Sequence, residues 1–237
     1  MEKKKVIGII GAMDVEVDGL KKNIDNAQTI KIAGIDFIKG TINNTEVVVA
    51  KSGVGKVYAA VCTQIMILKF NPDFILNTGV CGSLTKELKA CNVVVGEKVL
   101  QYDMDTSPLC DPVGLISGIN KIYFDCDDKL GNALLDILES KGINHKKGII
   151  ATGDKFINDS ALVKKLNTDF NAIAGDMESG SIGHVCYIND VPFGIVRSIS
   201  DSGDENSDVD YAQTVEFAAN VTVEVVLELC NRIFKRG

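Results

Sequence analysis

Acidic residues end two apolar runs in the stretch from Asn171 to Asp201. Ala172 to Ala174 stops at Gly175, Asp176, Met177 and Glu178. Val191 to Ile199, interrupted by Gly194, Arg197 and Ser198, stops at Ser200 and Asp201. Small residues and His184 follow the first run at helical spacing, so the stretch reads strand, helix, strand. In open α/β sheets ligands bind at the carboxyl ends of the strands. Carboxylates gathered at the mouth of a dry sheet have displaced pKa values, which acid–base chemistry needs. A third acid, Glu16, follows the buried strand Lys5 to Ile10 and falls near the first turn of a helix predicted to reach about Asn26. Each acid also has a plain structural use. Glu178 can cap a helix, Asp201 can open a turn, and Glu16 can answer the helix dipole.

Other groups share this edge. The turn Gly153 to Asn158 carries Phe156, placed either to stack on a planar ring or to fill the core. Gly79 and Gly82 follow the predicted strand Asp73 to Thr78 and let backbone approach a ligand closely. Ser52-Gly-Val-Gly-Lys56 precedes a helix to about Phe70. It is not a phosphate loop, because Val57 follows the lysine and the third glycine is missing. It reads as close backbone packing that brings Val54 to a ligand.

The remaining elements must position these groups. Three β-like runs, Thr29 to Ala33, Ile35 to Ile42 and Thr45 to Lys51, include a hairpin turning at Asn43 and Asn44. A strand spans Asn92 to Tyr102 with a bulge expected at Gly96. Asp103 to Gly118 is a loop long enough for a lid. The chain resumes at Lys121 to Phe124, then a helix from about Asp127 to Lys141 and a strand from Lys147 to Thr152. Asp159 or Ser160 caps a short helix. An acid-rich segment, Ser202 to Asp210, reads as a solvated loop. A final helix spans about Ala212 to Phe234, with apolar Phe217, Val221, Val225 and Leu229.

Composition narrows the class. At 237 residues the chain can bury a substantial core. The net charge of −7 argues against a nucleic-acid surface, and Lys3 to Lys5 reads as a solvated N-terminus. No apolar stretch approaches the roughly 18 residues of a membrane span. Val6 to Ile10 is shorter than the roughly 7–15 residues of a secretory core. A cytoplasmic protein is expected. Seven cysteines without CxxC pairs fit reduced thiols, and two histidines exclude a histidine-rich metal site.

Ile7 to Val17 (IGIIGAMDVEV), Lys51 to Val57 (KSGVGKV), Asn77 to Gly82 (NTGVCG), Thr152 to Asn158 (TGDKFIN), Met177-Glu178 and Arg197 to Asp201 (RSISD) occur in a telling order. Together they resemble the methylthioadenosine/S-adenosylhomocysteine nucleosidases of the purine nucleoside phosphorylase superfamily. With no internal repeat, linker or low-complexity segment, one domain over residues 1–237 is expected. The resemblance implies a three-layer α/β fold with a central mixed, partly barrel-like sheet flanked by helices, acting as a homodimer. It implies hydrolysis of the bond between adenine and a 5′-thio-substituted ribose, without metal or cofactor. Carried onto this chain, Glu16 would activate water and Asp201 would protonate adenine N7. Met177 and Glu178 would hold the ribose, and Phe156 would stack on adenine in a pocket shaped by Ile157 and Gly82. Arg197 would orient the water side. Val54 and Ser200 join the substrate-binding set.

The chemistry suits these roles. A glycosidic bond breaks through an oxocarbenium-like state, so help is needed at both ends. Adenine leaves poorly as an anion, and an acid of raised pKa at N7 relieves it. Phosphorylases of this superfamily clamp phosphate with several arginines, whose planar fork suits that anion. Here no arginine precedes Arg197. Two residues depart from the family: Val80 replaces its usual Ser, and Asp176 its usual Glu. Both are expected to alter hydrogen bonding around Asp201. A phosphorylase, or a nucleoside-binding protein without catalysis, uses the same pocket.

Overall fold

Residues 5–235 are described in the computed structural model, so Lys3 and Lys4 lie outside the described residues. Ten strands and six α-helices follow one another as β1 (Val6–Gly11), α1 (Asp14–Lys21), β2 (Asp25–Ile32), β3 (Ile35–Ile42), β4 (Thr45–Lys51), α2 (Lys56–Phe70), β5 (Phe74–Ser83) and β6 (Val93–Gln101). Then come β7 (Phe124–Asp125), α3 (Asp128–Lys141), β8 (His145–Thr152), α4 (Ser160–Phe170), β9 (Ala172–Asp176), α5 (Ser179–Ile188), β10 (Phe193–Asp201) and α6 (Ser207–Lys235). The strands join in the order β10-β6-β8-β9-β5-β1-β4-β3-β2, with β7 on β6, and β10 also pairs with β5. That last pairing closes five strands into a ring, the barrel-like part of a mixed sheet.

The apolar strands are buried on both faces, which is why they read as continuous Val and Ile runs. In β4, Val47 and Val49 pack with α1, α3 and α6 on one side. Val48 and Ala50 pack with α2 and α5 on the other. The result is helix, sheet, helix in three layers.

Several boundaries differ from the expectation, each for a physical reason. Helix α1 stops at Lys21 rather than near Asn26, because Asp25 pairs with Thr41 as strand β2 begins. That strand is almost wholly exposed, so it carries no apolar alternation to announce it. Helix α6 starts at Ser207, inside the predicted acidic loop, since Asp208 and Asp210 in its first turn suit the helix dipole. Strand β5 runs on through Gly79 to Ser83. Asn43 and Asn44 both adopt positive φ, 49° and 66°, as a tight hairpin turn requires. The register shifts between Gly96 and Lys98 against β8, and Asp159 caps α4 through Ala161 and Leu162.

The loop from Asp103 to Gly118 is anchored at Asp103, which accepts from Lys56 Nζ and the Asp154 amide. It holds a short 3-10 turn at Ser107–Leu109, and the Gly114 amide donates to the Met104 carbonyl at 2.7 Å.

Candidate active site

Every site residue expected from the sequence lines one cavity of about 750 Å³, open mouth included. Glu16, Arg197, Asp201, Gly82, Phe156, Ile157, Met177, Glu178, Val54 and Ser200 are all in its wall. The cavity stands at the ends of β5, β9 and β10, with α1 beside it.

Asp201 reaches the cavity through a sheet irregularity. The register of β10 against β5 shifts between Ile199 and Asp201, which sets Asp201 opposite Gly82. Bulges of this kind re-aim a side chain. A Cβ on Gly82 would stand 2.8 Å from Asp201 Oδ1, so glycine is what admits the carboxylate. The Ser200 hydroxyl donates to Asp201 Oδ2 at 2.8 Å and the Gly203 amide to Oδ1 at 3.1 Å. Burial outweighs these bonds and pushes its pKa above the ordinary carboxylate value.

Glu16 is 1 % exposed. Its Oε2 accepts from the Ala12 and Met13 amides at 2.6 and 3.0 Å, and Oε1 from the Val80 amide at 3.0 Å. Burial raises its pKa against the pull of Arg197 and these amides. The first turn therefore does more than answer a dipole, since the carboxylate folds back to the strand ends. Gly79, at φ 151°, leaves the space that Glu16 fills; a Cβ there would overlap the carboxylate.

Glu178 begins α5 but makes no side-chain cap. Its Oε1 accepts from the Gly55 amide at 2.9 Å and its Oε2 from Arg197 at 3.1 Å. Gly53 and Gly55 have φ 97° and 98°, which explains the glycines ahead of α2. Burial raises the Glu178 pKa, again against the pull of Arg197.

Arg197 is 1 % exposed and sits among three carboxylates. Asp176 and Glu178 lie 3.0 and 3.1 Å from Nη2, and Glu16 lies 3.9 Å from Nη1. Its remaining donors go to the Val80 carbonyl at 2.9 Å and Asn77 Oδ1 at 2.8 Å, with the Ser179 hydroxyl 3.4 Å from Nε. The two departures act here rather than around Asp201, as had been expected. Val80 touches Glu16 and Arg197 through its backbone. Asp176 bonds Thr152 at 2.5 Å, Ser179 and Arg197.

Aromatic and thioether groups close the mouth. Phe156 is 41 % exposed, so it stands in the cavity wall rather than the core. It meets Tyr211 edge to face at 5.7 Å, and the Tyr211 hydroxyl donates to Met13 Sδ at 3.2 Å. Tyr211 had no signal in the sequence, because it follows the acidic segment read as loop. Asn77 had one: it is a polar residue inside an apolar strand. Among the described residues no group of three or more His, Cys, Asp or Glu is arranged to hold a metal ion.

The five-strand ring in a mixed sheet, with a cavity at its strand ends holding Glu16, Asp201 and Glu178 beside Phe156, matches enzymes of the nucleoside phosphorylase fold. The chain belongs to the phosphorylase superfamily, whose family model matches residues 6–235. It is 37% identical over 229 residues to a 5′-methylthioadenosine/S-adenosylhomocysteine nucleosidase of an Exiguobacterium species, covering 96% of this chain and 98% of that one. A Helicobacter pylori nucleosidase of that name, solved with butyl-thio-DADMe-Immucillin-A, superimposes with a TM-score of 0.94 at 32% identity, covering 98% of this chain and 100% of that one. The native futalosine hydrolase of Helicobacter pylori gives 0.93 at 32% identity, covering 97% and 98%.

Proposed function

We infer that this protein hydrolyses the N-glycosidic bond of 5′-methylthioadenosine, S-adenosylhomocysteine or both, releasing adenine and the thio-substituted ribose. The observation that carries the reading is the presence of Glu16 and Asp201 in one cavity, each buried and each held by different partners. The Exiguobacterium relative supports the substrate class.

In this account the N9–C1′ bond breaks and its electron pair goes to adenine. Asp201 delivers a proton to N7 so that the base leaves neutral. Water bonds to C1′ and gives its proton to Glu16. Solvent then returns both carboxyl groups to their starting states. Met177 and Glu178 hold the ribose, with Glu178 accepting from its hydroxyls. Phe156 stacks on adenine, while Ile157 and Gly82 shape the base pocket and Ser200 supports Asp201. Val54 lies on the 5′ side. Arg197 holds the water side through Glu16 and Glu178. It supplies no arginine clamp for phosphate, because its own donors are taken up within the protein.

We also infer a single-domain cytoplasmic enzyme that pairs as a homodimer. Supporting this, α2 exposes Val57, Tyr58, Val61 and Leu68, from 41% to 75% each. This stripe adjoins exposed Tyr187 and Ile188 of α5, tied to it by Gln64 and Asn189. Contiguous apolar patches of this kind mark interfaces.

The test is adenine release from 5′-methylthioadenosine, S-adenosylhomocysteine and adenosine. Faster release from a thio-nucleoside than from adenosine is expected. Tight binding of adenosine analogues without adenine release would make the protein a binder instead.

A further inference from the structure

Asp176 lines the cavity, yet both its oxygens are engaged inside the protein. Thr152 donates to Oδ1 at 2.5 Å. Oδ2 faces Arg197 Nη2 at 3.0 Å and accepts from the Ser179 hydroxyl and amide. Thr152 in turn accepts from the Gly180 amide at 2.7 Å. Oδ1 thus has one protein donor and Oδ2 three. Its surroundings hold it against one cation.

That cation has three anionic neighbours. Fully ionised, Glu16, Asp176, Glu178 and Arg197 would carry a net charge of −2 on side chains that are all buried. Arg197 facing Glu16 and Glu178 alone would draw both strongly toward the ionised, weakly basic state. A carboxylate so stabilised is a poor acceptor for a proton from water.

We infer that Asp176 is the charge partner of Arg197, a positioning residue that keeps the guanidinium from neutralising Glu16 and Glu178. This rests on the nucleosidase reading above. The groups facing Glu178 are Arg197 from β10, Asp176 from β9, Glu16 from α1 and the Gly55 amide ahead of α2. Those facing Glu16 are Arg197, the Ala12, Met13 and Val80 amides, the Cys81 thiol of β5 and the Tyr211 hydroxyl of α6, which also faces Glu178. Of the charged residues among them, Asp176 is the one to which the nucleosidase reading gives no part at the substrate.

The experiment is the pH dependence of kcat/KM for adenine release from 5′-methylthioadenosine. Asp176→Asn keeps the shape and removes the charge. The acid limb is expected to move to lower pH, and the plateau kcat to fall. Asp176→Ser removes the same charge from a smaller side chain and is expected to shift the limb in the same direction, so the result does not hinge on one variant folding. Asp176→Glu restores the charge and returns the limb toward wild type. A purely structural Asp176 would lower activity and melting temperature while leaving the limb in place; that result, or a shift to higher pH, overturns the proposal. Failure of the wild-type protein to release adenine would instead overturn the nucleosidase reading.

Discussion

The Gly55 amide donates to Glu178 Oε1 at 2.9 Å, joining the start of α2 to the start of α5 across the cavity. This bond fixes one carboxylate oxygen, and Arg197 fixes the other. A ribose that meets Glu178 therefore meets an acceptor already aimed.

Each Glu178 oxygen takes one protein donor and keeps a second acceptor position, and losing a hydrogen bond to a charged group costs roughly 1.5–3 kcal/mol. 2′-Deoxynucleosides should accordingly lose about that much in kcat/KM against their ribo counterparts. Steady-state kinetics on matched pairs measures it. Equal values would remove Glu178 from ribose recognition.

Asp201→Asn should abolish adenine release while nucleoside binding survives, because an amide keeps the shape but delivers no catalytic proton. In the wild-type protein burial holds Asp201 protonated to higher pH than an ordinary aspartate. Activity that depends on the protonated form should fall as pH rises through that raised value. Stopped or calorimetric assays across pH locate the limb, and near-normal turnover of the variant would exclude Asp201 as the acid.

The same burial has a stability consequence. A group whose folded pKa exceeds its unfolded value makes its full contribution below the unfolded value, and that contribution is lost as pH rises through the folded one. For Asp201 the window opens at the unfolded aspartate value of 3.8 and extends upward to its raised folded value. Asp201→Asn should therefore raise the melting temperature at pH 8 more than at pH 4. Thermal melts at the two pH values test this, and an equal change at both would place the carboxyl in a more solvated setting than its burial implies.

Much of this site was legible before the fold was known, because the strand ends announce themselves. The apolar runs ending at Asp176 and Asp201 located both groups, and Gly79 and Gly82 flagged close approaches that the carboxylates of Glu16 and Asp201 now occupy. What stayed hidden were contacts across the sheet. Asn77 and Arg197 are 120 residues apart yet share a hydrogen bond, and nothing local signals it. The roles of Val80 and Asp176 were misplaced for that reason. Both share the cavity with Asp201, but their hydrogen bonds go to Glu16, Arg197, Thr152 and Ser179, while Asp201 is held by Ser200 and Gly203. Strand β2 was blurred because an exposed edge strand lacks apolar alternation.

Homodimer formation should depend on the α2 stripe. Val57→Arg combined with Leu68→Glu places charges at both ends of it and is expected to yield a monomer by light scattering at micromolar concentration. These two side chains are 74% and 75% exposed, so the fold itself should tolerate the change. A dimer of undiminished stability would move the interface elsewhere.

The central claim is that water, activated by Glu16, attacks C1′. Glu16→Gln should lower kcat by on the order of 10² or more, where a mere first-turn acid would cost less than ~1 kcal/mol of stability and little rate. The most direct measurement is product identity by mass spectrometry after turnover of 5′-methylthioadenosine with and without added phosphate. The account predicts free 5-methylthioribose and adenine in both cases, at unchanged rate. Formation of the ribose 1-phosphate when phosphate is present would contradict it and make the enzyme a phosphorylase.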